Sequence, residues 1–107
     1  MGQAALEAGV NAVLTFLEAE FTGEDVTRLS APPGGRLPAD AVYFQLSNDS
    51  GLVGTVGATA DFLQGTSTTD LVERLHLDDL PGAVRKAGAG QCVMLAAGKL
   101  PAAVPLA

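Results

Sequence analysis

The sequence predicts an α+β fold: a small antiparallel sheet of three or four strands, with a central hairpin at about residues 41–62, an N-terminal amphipathic helix and a later helix pair packed on one face. Three observations carry this expectation. Apolar residues recur at helical spacing over the first 21 residues, Ala41 to Ser47 alternates between two faces before the turn cluster Asn48-Asp49-Ser50-Gly51, and helix-start signals appear at Ser67-Thr68-Thr69-Asp70 and again at Asp78-Asp79-Leu80-Pro81.

Between Ala4 and Phe21, Leu6, Val10, Val13, Leu14, Leu17 and Phe21 share one helical stripe, while Glu7, Asn11, Thr15 and Glu18 run down the opposite side. Gly23 stands where a left-handed residue commonly ends a helix. Asp25 to Ala31 suits a short strand, and Pro32-Pro33-Gly34-Gly35-Arg36-Leu37-Pro38 then forms a stiffened loop at the sheet edge. Over Ala41 to Ser47, Val42, Phe44 and Leu46 point to one face and Tyr43, Gln45 and Ser47 to the other. The turn Asn48-Asp49-Ser50-Gly51 joins this strand to a second, Leu52 to Phe62.

The first helix of the later pair is expected from Ser67, an N-cap with Asp70 at the third helical position, to about Leu77. The second starts at Asp78-Asp79-Leu80-Pro81, where acids face the positive end of the helix dipole, and stops near Gly88. Gln91 to Ala97 is a short apolar run between glycines and reads as a strand buried on both faces or at a subunit interface. Residues 100–107 form an extended or frayed tail, so the whole chain, 1–107, reads as one small domain.

Composition narrows the function. Apolar residues make up 48% of the chain and charged residues 17%, which excludes a disordered tail. With twelve acids against six scattered bases, the chain has no basic face with which to release counterions from nucleic-acid phosphates, and anionic membranes are disfavoured for the same reason. No apolar run approaches the ~20 residues of a membrane helix and no basic leader is visible, so a cytoplasmic location is expected. The one cysteine, Cys92, sits among apolar neighbours and reads as a buried, unreactive thiol.

The segment Ser50-Gly51-Leu52-Val53-Gly54-Thr55-Val56-Gly57 invites a phosphate-loop reading that its spacing refuses. Its glycines are three apart, no Lys-Ser or Lys-Thr follows, and no helix opens after them. Gly51 instead closes the hairpin, and Gly54 and Gly57, on opposite strand faces, admit a close neighbour or a bulge. Should they leave room for a small molecule, Gly54, Gly57 and Tyr43 would line its site. His76 is the sole histidine and has no nucleophile or ligand partner at suitable spacing, while Glu24-Asp25 and Asp78-Asp79 fall where turns and helix starts place acids anyway. No catalytic residue, metal site or cofactor is assigned.

Glu7 and Asn11 stand one turn apart on the same face of the first helix, Pro32 and Pro33 follow, and the hairpin turns at Gly51. In these residues, and in the order helix, strand, hairpin, helix, the chain resembles the chemotaxis phosphatases of the CheC and CheX class, which dephosphorylate response regulators. The resemblance implies that Asn11 orients water and Glu7 holds the regulator's lysine. That family spaces the two residues three apart rather than four, and has two such repeats where this chain has one.

The leading expectation is a non-catalytic cytoplasmic protein-interaction or adaptor module that pairs with itself or with another protein. Its contact surface is the half-apolar sheet face carrying Tyr43, Gln45, Val53 and Thr55. A sensory or regulatory domain binding a small molecule between sheet and helix is the alternative, and the phosphatase a third.

Overall fold

The computed structural model describes residues 2–59, 77–96 and 99–106. Helix α1 (Gly2–Glu20) is followed by strands β1 (Asp25–Leu29), β2 (Ala41–Asn48) and β3 (Gly51–Thr59). Helix α2 (Leu80–Ala87) then leads to β4 (Gln91–Leu95) and β5 (Ala102–Pro105). The five described strands lie in sequence order in one sheet, antiparallel at every step except β3 to β4, which is parallel. The architecture is therefore α+β, with a mixed sheet in place of the expected antiparallel one. Strand composition does not encode direction, and the long connection from β3 through α2 is what permits a parallel neighbour. The tail expected to be extended or frayed is extended, and supplies a fifth strand at the edge of the described sheet, a position that tolerates Pro101 and Pro105 because its outer donors have no ladder partner.

The periodicity of α1 becomes its buried stripe: Val10, Val13, Leu17 and Phe21 are buried, and Gly23 ends the helix at a φ of 96°. Between β2 and β3 the Ser50 amide donates to Asn48 Oδ1 at 2.8 Å and Gly51 takes a φ of 120°, so the turn forms as its residues dictate. The hairpin register slips between Leu46 and Ser47, leaving Val53 as the extra residue of a bulge. A turn of 3-10 helix (Leu77–Asp79) opens α2, Pro81 stands in its first turn, and Gly88 follows it at a φ of 67°. The earlier helix expected from Ser67, with Asp70 and His76, falls on 60–76, outside the described residues. Among the described residues no helix is long and apolar enough to cross a membrane.

Both sheet faces are covered. On one, α1 and α2 pack Val10, Val13, Leu17, Leu80 and Val84 against Val42, Phe44, Leu46, Val56, Val93 and Leu95. The Arg85 guanidinium lies 5.8 Å from the Phe21 ring centroid, joining α2 to the end of α1. On the other face, Tyr43 and Cys92 are buried with Leu37, and Leu29, Met94, Val104 and Leu106 pack around them. Leu37 belongs to the proline-rich loop. That loop is thus no edge excursion: its 30–40 stretch crosses the second face, and Gly34 lies directly against the Leu106 backbone.

Two glycines of β3, the middle strand, set the spacing of these layers. A Cβ on Gly54 would stand 2.8 Å from Val84 Cγ1 of α2, and one on Gly57 would stand 2.6 Å from both Tyr43 Cε1 and Met94 Sδ. Tyr43 is the cross-strand partner of Gly57, so its ring covers the glycine it faces. Gly54→Ala and Gly57→Ala should each lower stability by about 1–3 kcal/mol through overpacking. Gly82→Ala, with open space over an α2 position, should raise it by up to about 1 kcal/mol. Urea unfolding of the three variants compares them directly.

Candidate functional site

The hairpin places Gly54 and Gly57 on opposite faces of β3, and the chain's own side chains fill the space above each of them. Tyr43 is 1% exposed, and its hydroxyl donates to the Pro38 carbonyl oxygen at 2.5 Å. The residues expected to line a ligand site are thereby brought into the packing of the two layers.

The expected interaction face is likewise redistributed. Tyr43 and Thr55 are buried, Gln45 and Val53 half-buried. The bulge carries Val53 to the helix side, where it packs against the larger core. Period-two alternation assigns Val53 to the same face as Thr55, and a single extra residue breaks that arithmetic. The cover over Tyr43 escaped the sequence reading because it is made by a loop, whose proline and glycine content announces irregularity but not direction.

Glu7 and Asn11 do lie one turn apart on α1. The Arg28 Nη1 donates to both Glu7 carboxylate oxygens, at 2.8 and 3.1 Å, so this carboxylate is engaged by β1 while Asn11 is exposed. Each partner is about two-fifths exposed, which limits the pair to roughly 0–1 kcal/mol. Its effect is to pin the edge strand to the helix.

Two concavities are lined by described residues. Where β1 and β2 diverge beyond the Leu29–Tyr43 pair, a cleft of about 390 Å³ opens, lined by Arg28, Ser30, Pro32, Ala39, Ala41 and neighbouring residues. On the outer side of α1, Ala8, Asn11, Ala12, Thr15, Phe16 and Ala19 line a shallow, mostly apolar depression of about 400 Å³. Three of these six are alanines, which leave the helix surface low, and Phe16 is half-buried beside them. Ala12 and Phe16 also pack against the helix–sheet core, so the depression runs from the margin of that core onto the exposed positions Ala8, Asn11, Thr15 and Ala19, and the sequence reading missed it by giving this side of α1 only its polar members.

Among the described residues, no three His, Cys, Asp or Glu side chains gather where they could hold a metal ion. Burial pushes the Cys92 thiol up to about 12. It also raises the Tyr43 phenol, whose ionised form would be repelled by a Cys92 thiolate and by Asp40. Both groups stay neutral far above physiological pH, which suits packing rather than nucleophilic or acid–base work. Compared with known protein families, curated proteins and solved structures, the chain has no significant match.

These shifts carry a pH dependence of fixed sign. A raised folded pKa means that the neutral thiol is favoured by the fold. Its contribution is complete below the unfolded value of 9.0 and is lost as pH climbs toward about 12. Urea midpoints should therefore hold below about pH 8 and fall steadily above about pH 9. Cys92→Ala, with no thiol to ionise, should show a shallower fall.

Proposed function

We propose that the protein is a non-catalytic protein-interaction module that docks a second copy of itself, or another protein, on the outer face of α1. The apolar depression along Ala8, Asn11, Ala12, Thr15, Phe16 and Ala19 carries this reading. Support also comes from how the other surfaces are used. The helices cover one sheet face and the 30–40 loop the other. Of the two edges of the described sheet, β1 is short and bears Asp25 and Arg28, while β5 follows Pro101 and ends on Pro105, both devices that discourage strand addition. An apolar groove along a helix is a frequent protein-docking surface.

Ala8 and Ala19 are exposed, so Ala8→Glu with Ala19→Glu should leave the thermal midpoint nearly unchanged while weakening association on the order of tenfold or more, read by sedimentation velocity over a range of concentrations. A wild-type chain that stays monomeric throughout removes the homodimer. Association retained in full by the double variant removes the α1 face.

A second reading, a regulatory domain that binds a small molecule, draws on the cleft between β1 and β2, whose size lies within the range of ligand sites and whose rim carries Arg28. Native mass spectrometry of the protein isolated from its source should then show a retained small molecule that Ala39→Trp displaces. Bare protein in both preparations would leave this reading without support.

A further inference from the structure

The two layers over the sheet are held very differently. Among the described residues, fourteen buried residues join the helices to the sheet, whereas three form the core of the opposite face. Of the eleven residues Ser30 to Asp40, only Leu37 is buried and eight are exposed. The segment contains no helix or strand, and its one internal backbone hydrogen bond, from the Leu37 amide to the Gly34 carbonyl, is long at 3.3 Å. Among the described residues its attachments to the sheet are the Leu37 side chain, the Tyr43 hydroxyl bond to Pro38 and the contact of Gly34 with Leu106. Segments with few buried contacts and little backbone bonding open at lower free energy than the core they cover.

We propose that Ser30–Asp40 is a strap that opens as a unit of its own, baring Tyr43 and Cys92 on the second sheet face while the helix side stays closed. Its ends are anchored in β1 and β2, so the strap swings without unpairing the hairpin. The prolines at 32, 33 and 38 restrict its backbone and favour movement as a whole over gradual fraying. Closed, it hides an apolar patch of Tyr43, Cys92, Met94 and Val104; open, it presents that patch. The strap is thereby a conformational gate over a surface separate from α1, and it stands whether or not α1 is the docking face.

Cys92 is the natural reporter, since it lies beneath the strap and is the chain's only thiol. The test follows its labelling by a nitrobenzoate disulfide reagent in native buffer, in the whole protein and two variants. Tyr43→Phe removes only the hydroxyl that holds Pro38, and should speed labelling on the order of tenfold. Val84→Ala weakens the helix side, and should lower the urea midpoint while leaving the labelling rate within about twofold. Acceleration by Val84→Ala in proportion to its loss of global stability would mean that Cys92 is reached only by complete unfolding. Indifference to both substitutions would mean a route other than the strap. Either result overturns the proposal.

Discussion

β3 is approached on both sides more closely than an ordinary side chain allows, by Val84 of α2 over Gly54 and by Tyr43 and Met94 over Gly57. A sheet normally holds its covering layers about 10 Å away, because each strand residue presents a Cβ. Removing two of these from one strand, one per face, lets a valine on a short helix and an aromatic ring reach the backbone. The aromatic-poor composition makes this matter: with four Phe, one Tyr and no Trp, the chain has few large side chains to fill a wider gap. Close approach substitutes for bulk. The ring of Tyr43 recovers over Gly57 the contact area that the missing side chain forgoes, and its hydroxyl still has Pro38 as partner, so no polar atom is stranded.

The strap depends on the same geometry. With Tyr43 lying down on Gly57, its hydroxyl is aimed at the loop, and Leu37 finds a shallow apolar floor formed with Cys92. Gly34 then fits against the Leu106 backbone, where any side chain would collide with main-chain atoms that cannot rotate away. The Leu106 amide in turn donates to the Gly90 carbonyl at 3.2 Å, tying the end of β5 to the turn that precedes β4. One glycine contact in the middle strand is thus connected, through a tyrosine and a loop, to both outer strands.

What was legible in the sequence divides by range. Gly23, Gly51 and Gly88 act locally and each ends or turns its segment as expected, as does the Asn48 side chain bonding the Ser50 amide. The buried stripe of α1 and the start of α2 at Pro81 follow equally from spacing a few residues long. The placement of Gly54 and Gly57 on opposite faces was readable too, because alternation survives on the far side of the bulge. The direction of β4, the pairing of the tail and the course of the 30–40 loop were not readable, since each is decided by where distant residues lie. The site suffered most from this limit: Tyr43 alternates as an outward residue, and only the loop that covers it makes it an inward one.

The resulting asymmetry bears on how such a small fold can be both stable and responsive. The helix side, where Val10, Val13 and Leu17 of α1 and Leu80 and Val84 of α2 are all essentially inaccessible, has no charged group in its core among the described residues. The strap side contains the two described groups whose ionisation burial opposes, Tyr43 and Cys92, yet the only other buried side chain described there is Leu37, with Leu29, Met94, Val104 and Leu106 half-covered around it. A cover this light suffices because neutral phenol and thiol make modest demands: one hydrogen bond for the first and apolar surroundings for the second. Had the same positions carried a carboxylate, the desolvation penalty would have required either an ion pair beneath the strap or a permanently open face. Uncharged polar groups under a light cover let the second face be hidden or shown at little cost, while the glycine-spaced helix side keeps the sheet in place.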